Sequence, residues 1–212
     1  MRIIDLTQPL SAETLSYPGE RTAYRAETTP IEGAGGVVTR LLSLEMHSGT
    51  HLDAPLHFAE NAPDVAALPL RLLPTRVVSS RGRRIEASDV PEDCCGRAVL
   101  FHTGWSRYAG TPRYFSDYPF LTATAAQRLV DRSVALVGLD TPSVDDRTNS
   151  AEYPAHQILC GADVPIVEGL IHLEAIPTSG RPAYFAAFPI PLAGIEASPV
   201  RAVVLVDEAA PS

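Results

Sequence analysis

The chain has 212 residues, 45% of them apolar and 20% charged, and a formal net charge of −8 from 25 carboxylates against 17 basic residues, all arginine. That length suits one domain spanning 1–212, and so apolar a chain can bury enough surface to offset its ordering entropy, which excludes disorder. An acidic chain with no cluster of basic residues is a poor match for a phosphate backbone or an anionic membrane, so neither nucleic acid nor membrane is expected as a partner.

Met1–Asp5 meets a carboxylate too early to form a secretory segment, and no run approaches the roughly 20 apolar residues that span a bilayer. The three cysteines, Cys94, Cys95 and Cys160, are odd in number and two are adjacent, which fits neither a disulfide framework nor a zinc knuckle. A cytoplasmic protein with inert thiols is expected. Its 19 prolines and 14 glycines are spread along the chain, implying many turns and no single linker.

In chain order, Gly36–Met46 is rich in aliphatic and β-branched residues that partly alternate, which predicts a strand. Arg76–Ser80, Ala98–His102, Val134–Leu139 and Ala202–Val206 are short apolar runs bounded by turn residues, each suited to a buried strand. Thr122–Arg132 predicts a helix capped by Thr122 or Thr124, with Leu129 and Val130 as its apolar contacts. Pro154–Cys160 predicts a second, short helix closed by Gly161. Several strands with two or three helices point to an α/β domain with a substantial mixed sheet.

One segment stands apart: His47-Ser-Gly-Thr-His51-Leu-Asp53-Ala-Pro-Leu-His57-Phe58, which holds three of the six histidines within eleven residues. Imidazole and carboxylate are the ligands preferred by zinc, manganese and iron. His47 and His51 are four apart, as on a helical face, but Gly49 and Pro55 disfavour a helix. An extended segment would instead point His51 and Asp53 the same way, and Gly49 would let the backbone close around an ion. The competing reading, histidines hydrogen-bonded in a surface loop, does not explain the density of ligand types. Later in the chain, His156 and Glu168 could join from a helix end and a strand end, on a weak spacing signal. His172, His102, Asp145 and Asp146 are read as structural.

The string HSGTHLDAPLHF resembles the HxGTHxDxPxHF signature of the metal-dependent cyclase-like hydrolases, a family that includes bacterial kynurenine formamidase and isatin hydrolase. The likeness continues through Ile3-Ile4-Asp5-Leu6-Thr7, Tyr17-Pro18-Gly19, His102-Thr103-Gly104-Trp105, the stretch from Gly138 through Asp140 and Ser143 to Asp145, His156 with Glu168-Gly169-Leu170, and Ser198–Ala202. It implies a swivelling β/β/α-type fold, a homodimer or homotetramer, and a divalent metal, zinc ahead of manganese, with one or two ions per subunit. His47, His51 and Asp53 would hold one ion, and Asp53 would share a second with His156 and Glu168. His57 would be the catalytic acid/base, its ordinary pKa near 6.5 suiting proton transfer both ways. Tyr17 stands where kynurenine formamidases commonly carry tryptophan, and would stack on an aryl substrate.

The expected activity is therefore metal-dependent amide hydrolysis of a small, aromatic substrate, foremost an aryl formamide such as N-formylkynurenine. The alternatives are a cyclic-amide hydrolase or polyketide-type cyclase using the same metal site, and a non-catalytic metal-binding homologue. The chain has no Gly-x-Ser-x-Gly elbow for a serine route, and the presence of His57 argues against a purely structural metal site.

Overall fold

Alternation of side chains along short strands builds a closed sheet with a different lining on each face. In the computed structural model, which describes residues 1–15, 24–29, 37–147, 152–178 and 182–207, the elements are β1 (Arg2–Asp5), β2 (Arg25–Thr29), β3 (Thr39–Ser43), β4 (His51–Asp53), β5 (Leu73–Ser79), β6 (Arg84–Ile85), β7 (Ala98–His102), β8 (Phe120–Leu121), α1 (Ala123–Asp131), β9 (Leu136–Leu139), α2 (Pro154–Gly161), β10 (Ile166–Glu168), β11 (Ala183–Pro189) and β12 (Ala197–Val206). Hydrogen bonding runs β12-β11-β5-β7-β9-β10-β4 and returns from β4 to β12, a seven-stranded barrel-like ring to which β1 adds on β12. β5, β7, β9 and β10 are parallel to one another, and the remaining pairings of the ring are antiparallel.

Leu52, Leu100, Val167, Phe185 and Val204, one from each of five ring strands, pack together inside the ring. The alternate residues Val99, Phe101, Val137 and Ile166 face outward, where Ala125 and Leu129 of α1 and Leu159 of α2 cover them. β7 and β9 are thus buried on both faces, which is why β7 reads as a continuous apolar run. The Thr122 side chain accepts a hydrogen bond from Ala125 N–H at 3.2 Å and so caps α1, and Gly161 ends α2.

The expected strand over Gly36–Met46 forms only at β3. It pairs with β2 in a two-stranded ribbon that leaves Leu41 and Leu42 exposed, since neither face lies against the ring. β12 begins five residues before the expected Ala202, because its first residues, Ala197–Pro199, pair with β4 and close the ring. Tyr17 lies outside the described residues. Among the described residues no helix is long and apolar enough to cross a membrane.

Candidate metal centre

The centre is built on β4 and its antiparallel neighbour β10, whose register sets His51 opposite Glu168 and Asp53 opposite Ile166. The pleat sends Leu52 and Val167 into the ring interior, so His51, Asp53 and Glu168 project to the other face. All three are buried there, Asp53 completely. His51 Nε2 lies 3.4 Å from Glu168 Oε2 and 3.5 Å from Asp53 Oδ1.

The chain approaches β4 through a turn at Gly49, where φ is +61°. A Cβ at Gly169 (φ +72°) would strike the Gly49 carbonyl, so that position needs glycine for space as well as for its dihedral, whereas Gly49 needs it for the positive φ. This turn returns His47 to the cluster, with Nδ1 3.0 Å from Asp53 Oδ1 and Nε2 3.3 Å from Glu196 Oε1. Past β4, Ala54 N–H donates to the Glu196 carbonyl and Pro55 opens a single 3₁₀ turn, Pro55–His57. Proline suits that first position because its missing N–H needs no partner. The turn lays the His57 ring 4.4 Å from His47 and 5.6 Å from His156, centroid to centroid.

His156 comes from the first turn of α2. Its Nε2 lies 3.5 Å from Asp53 Oδ2 and 3.3 Å from Glu168 Oε1, while its Nδ1 is 2.6 Å from Asp145 Oδ2. The Asp145 carboxylate also accepts the backbone N–H groups of Ala155 and His156 at 2.8 and 3.0 Å. It therefore satisfies the open donors at the start of α2 and sets the ring of His156, leaving Nε2 toward the cluster. Glu168 Oε1 accepts Val144 N–H at 2.7 Å, which fixes the second carboxylate.

His51 Nε2 and both Asp53 carboxylate oxygens are buried without a hydrogen-bond partner. Buried polar atoms are ordinarily satisfied, and unpartnered carboxylate and imidazole atoms facing one another fit a divalent cation. Two sets have ligand atoms within 4.8 Å of one another: His47, Asp53 and His57, and His51, Asp53 and Glu168. Asp53 is common to both, as a shared ligand would be. The sets divide the residues differently from the sequence reading, which put His51 with His47 and kept His57 out of the ligand shell.

Neighbouring charges, more than burial, set the titration of most of this cluster. Burial would lower the His47 pKa, but the Asp53 carboxylate 3.0 Å from its Nδ1, with Glu168 and Glu196 behind, raises it to about 9. Burial would raise the Asp53 pKa, yet His51, His156 and His47 hold it well below the usual carboxylate range. Glu168 is lowered against its own burial by His156 and His51, and His156 is raised against burial by Asp145, Asp53 and Glu168. His57 goes the other way: burial lowers it to about 4, Asp53 opposing and the neighbouring His47 and His156 reinforcing. It is the neutral imidazole beside charged ones.

Of the residues singled out in the sequence, His47, His51, Asp53, His57, His156 and Glu168 converge here. Asp145, read as structural, orients His156, and Glu196, on the connection into β12, was not singled out at all. Neither carries a motif signal of its own; Asp145 followed by a helix-opening proline nine residues later was the one available hint. Asp146 pairs with Arg83 at 2.8 Å, and Asp140 accepts from Thr103 and Gly104, holding the Thr-Gly-Trp turn. Beside the cluster, a cavity of about 720 Å³ is lined by His47 and His51 at one part and by Gln8, Tyr114, His102 and His172 elsewhere, within the range for a small-molecule site.

The family described as "Putative cyclase" matches residues 4–146. A kynurenine formamidase from Geobacillus thermodenitrificans is 31% identical over 208 residues, 95% of this chain and 96% of that protein. Among solved structures, a potential metal-dependent hydrolase with cyclase activity superposes with a TM-score of 0.80 at 26% identity, covering 98% of this chain and 99% of the other. Isatin hydrolase A from Ralstonia solanacearum gives a TM-score of 0.82 at 25% identity, over 98% and 92%.

Proposed function

The chain belongs to the cyclase family, and from that premise we propose that it is a metal-dependent amide hydrolase whose substrate is an aryl formamide such as N-formylkynurenine, cleaved to formate and the arylamine. The observation that carries the reading is the pair of unpartnered Asp53 oxygens, ringed by His47, His51, His57, His156 and Glu168 beside a small-molecule cavity.

His47, His51, Asp53, His156 and Glu168 would hold the ion or ions, zinc ahead of manganese. When bound, a divalent ion polarises a carbonyl oxygen and makes water nucleophilic at neutral pH. His57, whose ring lies beside those of His47 and His156, would accept the proton released by the attacking water and return it to the departing nitrogen. Asp145 holds the ring of His156 in place, and Glu196 faces the outer nitrogen of His47. A substrate aryl group would occupy the cavity, with Tyr17 proposed as its stacking partner. A cytoplasmic setting, where thiols stay reduced, suits the unbridged cysteines. The exposed Leu41 and Leu42 of the ribbon give a homodimer or homotetramer a surface to bury.

Likeness to isatin hydrolase A favours a second reading, opening of a cyclic aryl amide at the same site. The test is elemental analysis of the purified protein together with formate release from N-formylkynurenine and ring opening of isatin, each with and without chelator. Chelator-sensitive formate release supports the first reading, ring opening alone supports the second, and turnover that survives complete metal removal overturns both.

A further inference from the structure

Among the described residues, a hydroxyl at the cavity wall beside the metal ligands meets no acceptor for its hydrogen. Tyr114 sits on the 3₁₀ turn Pro112–Phe115 and is buried, and its backbone carbonyl is held by the Trp105 indole N–H at 2.8 Å. Its side chain lines the cavity together with Gln8, Gly49, His47 and His51. Among the described residues the phenol oxygen has one partner, the side-chain amide of Gln8 at a long 3.5 Å.

Donor and acceptor roles follow from what Gln8 touches. The same amide atom lies 2.7 Å from the Gly169 carbonyl, and a carbonyl only accepts, so that atom is the nitrogen Nε2. One of its hydrogens goes to Gly169, leaving the other for Tyr114. The phenol oxygen therefore accepts, and its own hydrogen is free to be donated. Gln8 is itself anchored, because its backbone N–H donates to Thr50 Oγ1 at 2.9 Å and that hydroxyl donates to the Gly169 carbonyl at 2.7 Å. Thr50 and Gly169 adjoin His51 and Glu168 in the chain, so the network is tied to both ligand strands. A buried hydroxyl with an unused donor is costly unless something arrives to accept it.

We propose that the Tyr114 hydroxyl donates a hydrogen bond to the carbonyl oxygen of the bound amide, strengthening as negative charge develops there, and that Gln8 is the positioning residue that keeps the hydroxyl's hydrogen turned into the cavity. This rests on the amide-hydrolase reading above. Burial, with the charges of Asp140 and Glu168, pushes the Tyr114 pKa well above its ordinary value, so the hydroxyl keeps its proton over the working pH range.

Tyr114→Phe in the metal-loaded protein removes the donor and keeps the ring. We expect kcat for formate release to fall by about 10²-fold, the scale for losing one such donor, with KM, bound metal and melting temperature held. Calorimetric binding of anthranilate, whose carboxylate stands in for the charged oxygen, should weaken at least about tenfold. Gln8→Met should lower kcat in the wild-type background and add nothing when combined with Tyr114→Phe. Should wild type release no formate while the difference in anthranilate affinity persists, the formamide reading fails and the donor stands. Unchanged kcat and unchanged anthranilate affinity overturn the donor, as does a parallel loss of metal and melting temperature, which would make the hydroxyl a packing group. An equal Gln8→Met effect in both backgrounds overturns the positioning role.

Discussion

The candidate metal centre has two halves that are made in different ways. His47, His51, Asp53 and His57 come from one eleven-residue stretch that folds back at Gly49 and Pro55, and its two ends, His47 and His57, are only half-buried. His156 and Glu168 come from separate elements, α2 and β10, and are almost wholly buried. The first half is shaped by local turn chemistry. The second depends on the β4–β10 register and on Asp145, which binds the start of α2 from a preceding loop. Asp53 joins the halves, since His47 and His51 face one of its oxygens and His156 the other.

Breaking that shared residue should have the largest effect. Asp53→Ala removes the carboxylate that faces His47 and His51 with one oxygen and His156 with the other, so neither half should hold its ion. The metal content found by elemental analysis should drop at both half-sites together. If His156→Ala strips as much metal as Asp53→Ala, the halves are not separable.

His57→Ala tests the exposed end of the local half. The proposal expects bound metal to be retained and turnover to fall by about 10²–10⁴-fold, measured on the same preparation. Because His57 lies within ligand range of His47 and Asp53, loss of metal in this variant would move it from proton carrier to ligand.

Asp145→Asn probes the tertiary half without touching a ligand. The amide oxygen can still accept one of the two α2 N–H groups, which meet different oxygens of Asp145, but it no longer holds the His156 ring with a charge. Metal affinity or activity should fall by about 10–100-fold, with the local half unaffected; an unchanged affinity would mean that packing alone orients His156.

The smallest effect is graded with pH. In the ion-free protein His47 stays protonated up to about 9, and a protonated imidazole cannot ligate, so uptake must expel a proton. Apparent affinity should rise with pH while His47 and the likewise raised His156 lose their protons, by up to about tenfold per unit for each proton. Removing His47 should flatten this slope, as titration with a metal indicator across pH 6 to 9.5 would reveal.

Much of this was legible in the sequence because it is set by neighbours in the chain. The α1 boundaries follow from Thr122 and the alanines after it, and the runs at β7 and β9 are apolar because both faces are covered. The extended reading of His51 and Asp53 needs nothing beyond a two-residue period and the glycine and proline beside it. The reading faltered where the partner was distant. β3 is shorter than its composition suggested because only β2 pairs with it, and Asp145 was passed over because its partner lies eleven residues on.

By itself, then, the sequence determined the ligand types, the local turn that gathers His47 through His57, and the mixed α/β character, since each follows from residue chemistry and short-range periodicity. Only the tertiary structure decided that the sheet closes through β4 on β12, that Glu168 stands opposite His51, and that Asp145 and Glu196 support the histidines. It also decided which imidazole stays neutral, because burial and the charges of side chains from other elements set that balance, and neither can be read from position along the chain.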